Sequence, residues 1–178
     1  VIELSRAGGY HVQGGTEDGF GLDLPLTINS PASASGTVGT ALGYAITATN
    51  SPTSFGATGL PAGLTPDAST GVISGTPTAA GNTAVWVTTV NASGWAGQSV
   101  TFTIAKGTQS IAFAPVSNRL TSDPPFAVGA TASSGLAVSF SVNSGPATIS
   151  GATVTLSGTV GTVTIIAAQP GNSDYSGA

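Results

Sequence analysis

Gly59-Leu-Pro-Ala-Gly-Leu-Thr-Pro-Asp-Ala-Ser-Thr-Gly-Val-Ile-Ser-Gly-Thr-Pro77 decides the fold. It strings turn residues together, with a few apolar residues set between them. Glycine supplies backbone with positive φ, and proline fixes φ near the value that turns need. Asp67 can accept a bond from backbone two residues on and start a tight turn before Gly71. Val72-Ile73-Ser74 then reads as a short strand, closed by Gly75-Thr76-Pro77.

Outward from this stretch, helical periodicity is nearly absent. Apolar residues alternate with Thr and Ser at period two, the pattern of a half-buried strand. Tyr44, Ile46 and Ala48 share one face of their run, and Val100, Phe102 and Ile104 share one face of theirs. Turn clusters separate such runs at short intervals, as in a β-sandwich. Strands are expected over 24–29, 41–50, 53–57, 72–74, 82–90 and 99–105, which together make a first domain over 24–105. Lys106-Gly107 follows as a short joint with a flexible residue, and the next strand is expected near Gln109.

The Gly59–Pro77 stretch resembles the signature of immunoglobulin-like domains repeated along large bacterial surface proteins, relatives of cadherin-like domains of dystroglycan type. In that family Gly-Leu-Pro…Gly-Leu leads to Asp-x-x-Thr-Gly, then to an apolar pair and Ser-Gly-Thr-Pro. The second half, 106–178, is similar to another bacterial immunoglobulin-like repeat. The resemblance rests on Lys106-Gly-Thr-Gln-Ser-Ile-Ala-Phe113, Ala132-Ser-Ser-Gly-Leu-Ala-Val-Ser-Phe-Ser-Val142, Ser144-Gly-Pro-Ala-Thr-Ile-Ser-Gly151 and Gly161-Thr-Val-Thr-Ile-Ile-Ala-Ala-Gln-Pro-Gly-Asn172. These resemblances imply an all-β chain of two tandem immunoglobulin-like β-sandwiches that acts as scaffold or spacer, with no catalytic machinery. In the family, a segment like Asn172-Ser-Asp-Tyr175 precedes the closing strand. The second sandwich is therefore expected to lack that strand, with Val163, Ile165 and Ala167 facing an unfilled groove. Either the ordered region ends there or a neighbour supplies the strand.

Residues 1–23 match neither repeat. They read as the tail of a preceding domain, a linker or an exchanged strand, and Ile2 and Leu4 alternate as an inserted strand would. With no Met and a start at Val1, the chain is expected to derive from a longer product.

The 178 residues fit one large domain or two small ones. Three Lys and Arg against seven Asp and Glu give a net charge of -4. Nucleic acid needs clustered cations to replace counterions. Arg6, Lys106 and Arg119 are far apart in sequence, so that class is excluded, as is lysine-driven attraction to anionic membranes. Charged residues make up 6% of the chain, against ~25% in ordinary soluble domains. Such a surface repels neighbours weakly and suits packing outside the cell. With no cysteine, disulfides, thiolate zinc sites and thiol chemistry are excluded. No apolar run approaches the ~20 residues of a membrane helix. The expected partners are other copies of the chain, or a glycan or cell-surface ligand.

Catalytic candidates fail one by one. His11 is the sole histidine and sits in a glycine-rich segment with no nucleophile motif. Glu17, Asp18 and Asp23 form the one acidic cluster, but without EF-hand spacing. Every acid falls in a turn, joint or terminal segment, so paired carboxylates for hydrolysis are not expected. Lys106, the sole lysine, lies at the joint, away from any core strand where it could cross-link to an Asn. No catalytic residue, metal or cofactor is expected.

Interface candidates remain. The resemblance implies that Thr83, Val85, Val87 and Thr89 face inward, so that Trp86 points outward beside Ala84 and Thr88. Trp95 follows at a hairpin tip, and Ile166 lies on the outward face of its strand. An outward Trp is costly unless something covers it. Trp86 is expected to be mostly buried, by the N-terminal segment, another copy or a glycan. Together these features lead to a non-enzymatic extracellular structural module, a subunit of a bacterial surface fibre or surface layer. The alternative is a spacer or glycan-binding module of a secreted adhesin or polysaccharide-degrading enzyme.

Overall fold

The computed structural model describes residues 25–178 and the backbone of two short strands, β1 (Ile2–Leu4) and β2 (Tyr10–Val12). These two pair antiparallel, Ile2 opposite Val12 and Leu4 opposite Tyr10. Residue 1, residues 5–9 and residues 13–24 lie outside the described residues, and with them Glu17, Asp18 and Asp23.

The first half is a sandwich of two sheets. β3 (Ser33–Thr37), β9 (Gly94–Ala105), β8 (Gly81–Asn91) and β5 (Ser54–Thr58) form one sheet in that order. β4 (Leu42–Ala45), β7 (Val72–Gly75) and β6 (Leu64–Pro66) form the other. Period-two alternation sends Val85, Val87, Val100 and Phe102 into the space between them, where they meet Tyr44, Ile46, Leu64 and Ile73. Burying each such side chain contributes roughly 1.5–3 kcal/mol. The Tyr44 ring meets Phe102 edge-on at 5.4 Å, and its hydroxyl donates to the Pro31 carbonyl at 2.6 Å, so its polar end is satisfied.

The structure shows why the Gly59–Pro77 stretch needs its glycines. At the end of the antiparallel β6–β7 pair the two chains come so close that a Cβ on Gly63 would fall 2.0 Å from the Thr76 carbonyl oxygen. One on Gly75 would fall 2.1 Å from that of Gly63. Both residues also have positive φ, +90° and +141°. Asp67 makes the expected turn, accepting from Ser69 N at 2.8 Å and Thr70 N at 3.1 Å.

Several strands differ from the expected set, and β3 and β6 fall outside it. β3 carries no large apolar residue; it exists because it pairs in parallel with β9, Ser33 opposite Thr101 through Thr37 opposite Ala105. The strand expected over 41–50 is regular only over Leu42–Ala45; beyond it Ile46 N still donates to the Gly71 carbonyl, Ala48 bridges Ile28 instead, and the chain then turns through positive φ at Asn50 and Ser51. The strand expected over 24–29 is reduced to a single bridge, Ile28 to Ala48.

The second half is also all β, in smaller sheets. β10 (Ile111–Phe113) pairs with β12 (Ala130–Ala132). β11 (Phe126–Ala127), β15 (Thr153–Leu156) and β14 (Ala147–Ser150) form a second sheet. β13 (Ser139–Ser144) pairs with β16 (Thr164–Ala168) across a bulge after Val142. Val128, Ala132 and Val154 are buried, and Phe113 and Phe140 meet edge-on at 5.8 Å. Val163 and Ile165 line a groove of about 750 Å³ with Phe113, Phe126, Val154 and Leu156. Past the end of β16, Gln169 and Ala178 exchange a pair of 2.8 Å backbone bonds, an antiparallel rung.

Candidate functional site

Two places stand out, an aromatic groove on the first half and the joint between the halves. The groove follows from the β8–β9 register. Trp86 pairs with Ser99, Thr88 with Gly97 and Val90 with Trp95, so all six residues stand on the outer face of the sheet. Trp86 is 48% exposed and Trp95 69%. Trp86 points outward as expected, and within the single chain about half of it is open. Its indole rests against Gly97, where a Cβ would come within 2.6 Å of Cζ2 and 2.9 Å of Cε2. Leu26, Thr27, Ile28, Ala96 and Gln98 complete a shallow groove of about 480 Å³ with the two tryptophans. Gln98 Nε2 donates to the Ser30 carbonyl at 3.3 Å, which orients the amide at the groove's side.

The joint is held from both sides. The Asn172 Oδ1 atom accepts from Asp174 N and Tyr175 N, both at 2.8 Å, and folds the 172–175 segment into a tight turn. The Asp174 carbonyl then accepts from Gly107 N at 2.8 Å, and Ser176 N donates to the Gly107 carbonyl at 2.9 Å. Asp174 Oδ1 reaches across to the first half and accepts from Ala80 N at 2.9 Å. Lys106 Nζ donates to the Asn172 carbonyl at 2.6 Å. The Tyr175 ring closes over Gly107: a Cβ there would lie 2.9 Å from Tyr175 Cε1 and 2.9 Å from the Val38 carbonyl oxygen. Behind the turn, the buried Gln169 accepts from Gly171 N and Gln109 Nε2, so its carbonyl oxygen is satisfied. In the short Lys106-Gly107 joint the glycine thus serves for space.

The structure brings Trp86 and Trp95 together. Ile166 is 45% exposed on β16, opposite Ser141, and does not line the groove. Ile2 and Leu4 lie in β1, paired with β2, and their side chains are outside the description. Sequence reasoning missed Gly97 and the clasp residues Asp174 and Tyr175. A glycine inside a strand two places from a Trp was a signal for the first. For the second, Asn172-Ser-Asp-Tyr175 was visible as a motif, but its partners at 80 and 107 were not. Among the described residues no group of three or more His, Asp or Glu could hold a metal ion, and no helix is long and apolar enough to cross a membrane.

Residues 24–107 match the family described as "Putative Ig domain", and this segment is an immunoglobulin-like domain. No curated protein matches the chain. Among solved structures, two Bacteroides fragilis proteins titled "putative alpha-galactosidase" and "putative alpha-galactosidase/melibiase" are 31% and 28% identical. Each match has a TM-score of 0.43 and covers 45% of this chain and 17% of the other. A SusE-like surface-located polysaccharide-binding protein from the Bacteroides thetaiotaomicron heparin utilisation locus is 17% identical, with a TM-score of 0.38. That match covers 85% of this chain and 32% of the other. The chain thus spans less than a third of each of these three proteins.

Proposed function

We propose that this chain, immunoglobulin-like over residues 24–107, is a non-catalytic spacer of a larger protein at or outside the cell surface, in which residues 106–178 form a second module. The observation that carries this reading is the clasp at the joint. A spacer must hold its modules at a fixed separation, and short linkers alone leave domains free to reorient. Here the Asn172–Tyr175 turn bonds the linker at Gly107 and the first half at Ala80 at once. The experiment is backbone 15N relaxation on the intact chain. Both halves should report one rotational correlation time; two distinct, shorter times would refute a rigid spacer.

A second reading, the fibre or surface-layer subunit, is supported by one specific feature. Among the described residues β16 pairs only with β13, and its other side borders the apolar groove at Val163 and Ile165. A strand from another copy, with residues 1–12 as donor, would satisfy that edge and cover that surface. Sedimentation of the chain with and without residues 1–12 tests it. Assembly that disappears on deletion supports strand donation; assembly that persists, or a monomer in both, argues against it.

A further inference from the structure

We propose that the outer face of β8 and β9 binds a neutral polysaccharide, whose sugar rings stack on Trp86 and Trp95. This inference is independent of the spacer reading. Four observations carry it. First, both indoles stand on one face and are open to solvent, 48% and 69% exposed. A Trp in water forfeits the burial of a large apolar ring, and two on one face mark a contact surface.

Second, Trp86 is held in place from below. Gly97 removes the side chain that would displace the indole, so the ring rests against bare backbone. A placed ring loses less conformational entropy on binding than a free one.

Third, among the described residues the face carries no charge. β3, β5, β8 and β9 contain no acidic or basic residue. Their outward positions near the tryptophans are Thr88, Ser99, Thr101 and Thr58. Anionic partners such as nucleic acid, acidic lipid or sulfated glycan find no counter-charge here. An uncharged polyol finds what it needs, apolar ring faces for its C–H surfaces and hydroxyls for its hydroxyls.

Fourth, the groove runs between the rings and the Leu26–Ile28 segment, with Thr27 and Gln98 as its polar edge. Its volume of about 480 Å³ falls within the roughly 300–1,000 Å³ of small-ligand sites. The ligand that fits is therefore a short run of sugar units, part of a longer chain crossing the sheet face.

The chain has two tryptophans, and both are at this site, so intrinsic emission reports on it alone. The test is affinity electrophoresis of the intact chain in gels containing hydroxyethylcellulose, galactomannan or dextran, with heparin as the anionic comparison, alongside emission titrations with the same polymers. At least one neutral polymer should retard the chain and shift its emission, and heparin should do neither. Trp86→Ala and Trp95→Ala should each weaken binding by about tenfold or more, and Trp95→Phe by less. Gly97→Val should weaken it too, by displacing the Trp86 ring. Circular dichroism melts of the Trp variants should match the parent, since neither ring is in the core. Retention of full binding by the Trp variants, failure of all three neutral polymers, or equal retardation by heparin would overturn the proposal. So would sedimentation showing self-association abolished by Trp95→Ala, since a second copy would then occupy the face.

Discussion

Asp67 shows how a single side chain sets a turn. Its carboxylate accepts from the Ser69 hydroxyl at 2.6 Å, and from Ser69 N and Thr70 N. The Ser69 hydroxyl and these amides lower its pKa from 3.8 to about 2. A depressed folded-state value stabilises the fold above the unfolded value, and that contribution is lost as pH falls through the folded one. Asp67→Ala should therefore melt below the parent at neutral pH, and the two should converge as pH drops from 3.8 to about 2. Thermal melts across that range check this. Asp67 was legible because an Asp before Ala-Ser-Thr-Gly needs only local bonds. Trp86 was half legible: the family resemblance implied its direction, but its seat against Gly97 of the neighbouring strand is a contact that no single strand's pattern carries.

At the scale of elements, legibility tracks how much of a strand's identity its own residues carry. β8 and the 99–105 part of β9 alternate cleanly and were readable, because Val85, Val87, Val100, Phe102 and Ile104 stand at their inward positions. β3 was not readable. Its inward positions are Ala34 and Gly36, small because the Leu42 and Ile104 side chains press against Gly36. Such a strand is specified by its partner β9, and small residues at a crowded contact look like loop in isolation. The β9 alternation makes a sharp prediction. Phe102 is fully buried and its neighbour Thr103 points to solvent. Phe102→Ala should cost about 3–5 kcal/mol, and Thr103→Ala should stay within about 0.5 kcal/mol of the parent. Urea unfolding of both variants measures the contrast.

For the whole molecule, the all-β, sandwich-forming character was evident from turn spacing and period-two runs, and the way the joint is held was not. Lys106-Gly107 reads as flexible because glycine both widens the backbone's choices and takes up no room. The fold uses the second property, with Tyr175 and Val38 filling the space around Gly107. The contacts that reveal this join residues distant in the chain, Ala80 with Asp174 and Lys106 with Asn172, so no local pattern announces them. Removing Asp174's carboxylate by Asp174→Ala leaves the Ala80 amide without its partner, and Tyr175→Ala strips the ring from Gly107. Either change should loosen the joint while leaving both halves folded.

The absence of native cysteine lets spin labels report on that joint cleanly. Thr103→Cys and Thr155→Cys place one label on an exposed strand position of each half. Pulsed electron–electron resonance on the doubly labelled chain then gives the distribution of distances between the halves. A rigid spacer predicts one narrow peak that broadens when Tyr175→Ala and Asp174→Ala are added. A broad distribution in the otherwise unaltered chain, unchanged by those substitutions, would contradict it.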